Sequence, residues 1–188
     1  MLISNYEEQM VYHCAPTLKG IKAGSMVAMR VSSHKSIEAF FAEYQECFIA
    51  HGIEYMKLTE QKQHVLVLIY RPDMLSRMLR RPMAREILDS YGYPVNDSLK
   101  AMLNHLQKRI DSCSGFPHEI GLFLGYPPQD VQGFIRHKGH NFLFCGFWKV
   151  YANGTAVKRL FRCYNECIHR MCRRLLAGES LQEVIRAA

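Results

Sequence analysis

His64-Val65-Leu66-Val67-Leu68-Ile69-Tyr70 is the stretch that decides the fold. It is a continuous apolar run rich in β-branched residues, seven long, which suits a central strand covered on both faces. The residues that follow, Arg71-Pro72-Asp73, place a proline at the first turn of a helix. Upstream, residues 53–58 (IEYMKL) alternate apolar and polar and read as a second strand. Gly52 stops the segment before it as a C′ glycine would. That segment, 35–51, puts Ile37, Phe40, Phe41, Tyr44 and Phe48 at helical spacing. Residues 25–32 (SMVAMRVS) supply a third strand.

The second half of the chain reads mostly as helices. Residues 73–80 and 83–91 are two short ones, broken before Pro82. Asn96–Ile110 is amphipathic, with Leu99, Met102, Leu103, Leu106 and Ile110 on one stripe. Helices follow over 118–124, 128–137 and 155–176, with a last short one at 179–187. Residues 142–151 read as a fourth strand, with Gly146 at a bulge. The expected fold is therefore α+β (or α/β). Its small mixed sheet of about four strands, 25–32, 53–58, 64–70 and 142–151, is covered by helices. No Ser- or Gly-rich linker divides the chain, so residues 1–188 are expected to form a single globular domain.

Composition bounds the function. The 188 residues are 48% apolar and 22% charged, which excludes a disordered or collagen-like chain. The net charge of +7 is concentrated. Five arginines against Asp73 lie between Arg71 and Arg85, and six cations against Glu166 lie between Lys158 and Arg174. Such clusters attract phosphate or acidic partners, or simply solvate a helix face. Residues 1–10 carry two glutamates and no apolar segment, and no stretch is long and apolar enough to span a bilayer. The seven cysteines, odd in number and without C-x-x-C, suit reduced thiols in a cytoplasmic protein with no membrane partner.

Two helix-hairpin segments share a pattern. Glu86-Ile87 and Glu119-Ile120 each lead, six residues after the Glu, to Gly-Tyr-Pro (92–94 and 125–127). An Asp follows each proline by three, Asp97 and Asp130. Each copy reads as a helix, a left-handed glycine stop and a proline that opens the next helix. The second copy also fits a helix-turn-helix template through Ile120, Gly121, Leu124, Gly125, Val131 and Phe134. Its reading helix would offer Gln129, Gln132 and Arg136. A nucleic-acid-binding module using the helix pair 118–137 and the basic helix 158–174 is thus one functional reading.

A small-ligand, metal or redox site built on cysteine and histidine is the other. His118 and Glu119 sit at a helix start, where anions are favoured. Cys14, expected in a loop before a Pro16-Thr17 helix start with His13 beside it, is a candidate nucleophile or ligand. Cys145 is a second thiol on the strand at 142–151. Lys149 and Tyr151 alternate with Trp148 and Val150 and share one sheet face, where they and Arg71 can meet an anionic ligand. Cys163 and Cys167 share a helix face, but no second pair completes a metal set. A purely structural or interaction role would use Trp148 and the basic helix as contact surfaces. Nucleotide-binding glycine loops and the serine-hydrolase elbow are absent.

Four ordered motifs carry a resemblance: Cys14-Ala15-Pro16-Thr17-Leu18, Tyr70-Arg71-Pro72, Phe116–Gly121 with Phe123–Pro127, and Cys145–Tyr151. Together they resemble an uncharacterised bacterial family, domain-of-unknown-function family three-seven-nine-three, over nearly the whole chain. The resemblance implies a single-domain protein, mainly of anaerobic Gram-positive bacteria, without an assigned activity. It also implies iron or redox physiology with a flavodoxin-type redox partner. The family's motif residues coincide with Cys14, His118, Glu119 and Cys145. Phe147 stands where the resemblance leads one to expect a tyrosine, so no hydroxyl is offered there.

Overall fold

The computed structural model describes residues 6–30, 36–61, 63–113 and 115–186. The chain forms two compact units, Met1–Pro72 with Tyr164–Ala188, and Asp73–Cys163.

The first unit is built on a three-stranded antiparallel sheet: β1 (Gly24–Arg30), β2 (Glu54–Gln61) and β3 (His64–Tyr70). The order is β1-β3-β2, so the apolar run is the central strand, as expected. Val65, Val67 and Ile69 share one face of β3 and join the core with α1 (Tyr6–Leu18) and α2 (Ile37–Ala50). Leu68, on the opposite face, is also fully buried. Ser36 caps α2 by accepting from the Ala39 N–H at 3.0 Å. Gly52 has φ +61°, the left-handed conformation a C′ glycine adopts. The end of α8 (Gly154–Leu176) and α9 (Leu181–Arg186) close this core through Met171, Leu181, Val184 and Ile185. The parts of the expected strand 25–32 beyond Arg30, residue 35 of the α2 segment and residue 187 of the last helix lie outside the described residues.

The helix α1 is a departure from expectation. Cys14 is not in a loop before a helix starting at Pro16; it lies on a helix that ends at Leu18. Tyr6, Met10, Val11, Cys14 and Leu18 form a buried stripe at helical spacing, and that burial outweighs the proline in the last turn. Arg71 binds carbonyls at the ends of α1 and α2. Its Nε donates to Thr17 O at 2.7 Å, a second nitrogen donates to Leu18 O, and Nη1 donates to His51 O at 2.6 Å.

The second unit contains α3 (Pro72–Leu79) from Asp73 onward, α4 (Pro82–Ser90), α5 (Leu99–Ser112), the single turn α6 (Ile120–Phe123), α7 (Pro128–His137), and α8 to Cys163. The repeated pattern holds at its glycine stops, but only the second proline segment opens a helix directly: Pro127 caps α7, whereas α5 starts at Leu99 with Ser98 as its cap and not at Pro94. Gly92 and Gly125 have φ +75° and +77°. The following tyrosines, Tyr93 and Tyr126, donate their N–H to Leu88 O and Gly121 O, five residues back. Both are Schellman stops.

Residues 142–151 do not join the sheet as a fourth strand. They fold into a two-stranded antiparallel ribbon of β4 (Phe144–Cys145) and β5 (Lys149–Val150), paired Phe144 to Val150 and Cys145 to Lys149. Gly146 explains why: the Phe161 ring lies 2.3 Å from where a β-carbon would stand. The turn is thus held against an aromatic ring of α8, and no extended strand continues through it.

Candidate functional site

Asp130 organises the second unit's functional face. It sits in the first turn of α7, where the helix N-terminus favours a negative charge, and it is only 2% exposed. One carboxylate oxygen accepts from Trp148 Nε1 at 2.7 Å. The other accepts from the backbone N–H of Tyr151 at 2.8 Å and of Ala152 at 3.0 Å. Three donors on one buried carboxylate tie the end of the ribbon to α7. The helix can come this close because residue 133 is glycine: a β-carbon there would stand 2.4 Å from Tyr151. Gly121 likewise lets α6 pack against α7, since a β-carbon would meet Val131 at 2.9 Å. This satisfies the small-residue requirement of the hairpin template.

Between these elements lies a cavity of about 490 Å³. Its walls are aromatic and aliphatic: Tyr126, Val131, Phe134, Phe147 and Trp148, with Ile120. Trp148 stacks on Tyr126 at 4.7 Å between centroids and receives the edge of Phe161 at 4.5 Å. Phe116 stands at the rim and is exposed. Three polar side chains besides Asp130 reach the cavity: His118, Cys145 and Lys149. His118 meets Phe134 edge-on at 4.9 Å. Lys149 donates to Gly139 O at 2.8 Å, and its ammonium lies 5.0 Å above Phe142 and 5.7 Å above Phe134. Cys145 is exposed.

The residues singled out in the sequence separate accordingly. His118, Cys145 and Lys149 share the cavity. Glu119 does not orient His118. It is 1% exposed and turns into the interior, accepting from Arg109 Nε at 2.9 Å and from the Tyr93 hydroxyl at 3.2 Å. Its neighbour His118 is exposed; both residues lie in the turn before α6, which starts at Ile120 and not at 118 as expected. Tyr151 does not line the cavity with Lys149. Tyr151 packs against Gly133 and stacks on His137 at 5.8 Å, with its hydroxyl buried and unpartnered. Burial, then the nearby Asp130 charge, pushes that hydroxyl's pKa up. Arg71 belongs to the first unit, with its guanidinium committed to three backbone carbonyls.

Cys14 also belongs to the first unit. It has no exposed surface, and burial pushes its thiol up to about 12. A thiol in that state is protonated at neutral pH and is a poor nucleophile. Trp148, expected on the surface, is 7% exposed and serves as a wall. Cys163 is exposed and Cys167 half-buried. Among the described residues, no three His, Cys, Asp or Glu side chains cluster to hold a metal. Gln129, Gln132 and Arg136 of α7 face solvent, as do Lys158, Arg159, Arg162, Arg170 and Arg173 of α8.

Sequence reasoning missed the aromatic walls and Asp130. The signal was present in Phe147-Trp148, two adjacent large aromatic residues beyond what a short ribbon needs. The second hairpin's buried Asp130 and the first's exposed Asp97 also show that only the second copy was put to this use.

The sequence pattern of a family described as "Protein of unknown function (DUF3793)" matches residues 10–185. The chain belongs to this family. The match covers the motifs at Cys14, Tyr70, Phe116 and Cys145 alike, so the DUF3793 chain includes both units and the whole cavity. Neither a curated protein nor a solved structure matches it. Among the described residues no helix is long and apolar enough to cross a membrane.

Proposed function

We propose that this DUF3793 protein binds a small molecule with a flat, apolar body in the cavity between α6, α7 and the β4–β5 ribbon. One observation carries the reading: a pocket of about 490 Å³, walled by aromatic rings and lined also by His118, Cys145 and Lys149. Ligand sites are commonly cavities of about 300–1,000 Å³ with apolar walls and a few placed polar groups. The walls are held by the Asp130 clamp before any ligand arrives, which lowers the ordering cost of binding. His118 and Cys145 are the groups from which chemistry on the bound molecule would start. Seven free thiols support a reducing compartment such as the cytoplasm.

The sole tryptophan is a built-in reporter, because Trp148 forms a wall of the pocket. Titration with the neutral dye N-phenyl-1-naphthylamine should quench Trp148 emission saturably, with one site per chain. Cys145→Phe, which fills the pocket, should weaken binding at least tenfold, while Cys163→Phe on exposed α8 should leave it within twofold. Unsaturable quenching, or equal binding by both variants, would overturn the reading.

A further inference from the structure

We infer that the molecule this pocket takes carries a negative charge on its aromatic body, and that Lys149 is the residue that recognises it. The inference rests on the pocket being a ligand site and adds the ligand's chemical class.

Two formally charged side chains line the cavity, Asp130 and Lys149. Asp130 is spent: both its oxygens already accept hydrogen bonds, three in all, and it is 2% exposed. A cationic ligand would meet a buried carboxylate whose charge is already shared among three protein donors. Lys149 is the opposite case. Its ammonium has three N–H donors, and one is used, at 2.8 Å to Gly139 O. No carboxylate pairs with it among the described residues. The Phe134 and Phe142 ring faces beneath it supply cation–π attraction without using up its donors.

Position matters as much as charge. Gly139 has φ +78°, and a β-carbon there would stand 3.3 Å from Lys149 Nζ and from Phe134. The left-handed glycine therefore lets the ammonium settle against the backbone at the cavity wall. Lys149 is paired with Cys145 across the ribbon, so its backbone is fixed as well. A carboxylate, sulfonate or phosphate on an aromatic body would meet two free ammonium donors there while its rings lie against Phe134, Phe147 and Trp148. His118, on the same wall, can add a further hydrogen bond to the anion.

The test pairs two dyes with a shared body. N-phenyl-1-naphthylamine is neutral, and 8-anilinonaphthalene-1-sulfonate adds a sulfonate. The natural protein should bind the sulfonate about tenfold more tightly than the neutral dye. Lys149→Met should abolish that preference and leave neutral-dye affinity within twofold; Lys149→Arg should keep most of it. Lys100→Met, an exposed cation of α5, controls for the protein's net charge and should change nothing. Displacement of the bound neutral dye from the natural protein by 1-naphthoate, compared with 1-naphthylmethanol, repeats the test without any variant. An unchanged sulfonate preference in Lys149→Met, or equal displacement by the two naphthalenes, overturns the inference while leaving the pocket standing. Failure of the natural protein to bind either dye removes the pocket reading and the inference with it.

Discussion

Cys14 and Cys145 are the same side chain in two different kinds of interior. In the first unit Cys14 lies on the buried face of α1, in one apolar core with Met10, Val11 and Leu18, with its thiol held protonated by burial. In the second unit Cys145 ends a two-residue strand and opens onto a cavity. The first unit packs most of its aromatic residues into its core: Phe40 meets Tyr6 and Phe41 edge-on, and Phe41 is covered from outside by the exposed Tyr55 ring, stacked at 3.8 Å. The second has a comparable store of rings but arranges Phe134, Phe147 and the stacked pair Tyr126 and Trp148 around a hollow. A filled aromatic core stabilises; a propped-open one is available to a ligand.

The largest expected effect breaks the filled side of that contrast. Phe41 is 1% exposed and touches several rings. Phe41→Ala should cost about 3–5 kcal/mol, the usual range for emptying a large aromatic site in a core. Urea unfolding followed by circular dichroism measures it. Below the lowered midpoint, binding of the neutral naphthylamine dye should be unchanged. Loss of dye binding in the still-folded variant would mean that the pocket depends on the first unit's packing.

Much of the first unit could be read directly from residues. The run at 64–70, the alternation at 53–58 and the 37–48 stripe became β3, β2 and α2, because the first is long and β-branched enough only for a doubly covered strand and the other two each have a single period. Where two readings competed, local signals lost. Pro16 pointed to a helix start, but the stripe from Tyr6 to Leu18 buries enough surface to carry α1 through it. The apolar run at 142–151 pointed to a strand, but Gly146 and the Phe161 ring fold it back on itself. The site was half legible. His118, Cys145 and Lys149 were visible as chemical residue types, yet what gathers them is the Asp130 clamp, a set of contacts from Asp130 to residues 18 to 22 positions later that no local pattern encodes. Glu119 and Arg71 looked equally reactive in sequence and prove to be the partners of buried neighbours.

The next effect tests the propped-open side. Asp130→Ala removes the acceptor for three donors and leaves them facing a poorly hydrated interior. Each unsatisfied buried donor costs about 1–3 kcal/mol, so a total near 3 kcal/mol is expected after partial relaxation. The sharper readout is the pocket itself. With its indole N–H released, Trp148 should emit at longer wavelength, and dye affinity should fall at least tenfold. A destabilised variant that keeps the natural emission maximum and dye affinity would show that the walls are held by packing alone.

The smallest effect returns to the sealed unit and is one of pH. Lys22 is 8% exposed, donates to Ser25 Oγ at 3.4 Å, and lies 5.9 Å over the Tyr164 ring. Burial pulls its pKa down from 10.5 to about 8, with the neighbouring Cys14 opposing weakly. Between pH 8 and 10.5 the unfolded chain therefore holds the Lys22 proton that the folded chain has lost, so this group makes stability rise with pH. Cys14 acts in the other direction. Its thiol moves from 9.0 to about 12, so above pH 9 the folded chain keeps a proton that the unfolded chain gives up, and stability falls. The tyrosines Tyr44, Tyr70 and Tyr93, all raised first by burial, add to that fall above pH 10. Urea midpoints measured from pH 7 to 11 should pass through a maximum near pH 9. Lys22→Met should erase the rising limb and, by replacing a buried ammonium with an apolar chain of similar length, add on the order of 1 kcal/mol at pH 7. Cys14→Ala should flatten the fall instead. A Lys22→Met protein that keeps the rise from pH 8 to 9 would place its origin elsewhere, and the first unit would then be less completely sealed around Lys22 than the burial of Cys14, Thr17 and Ser25 implies.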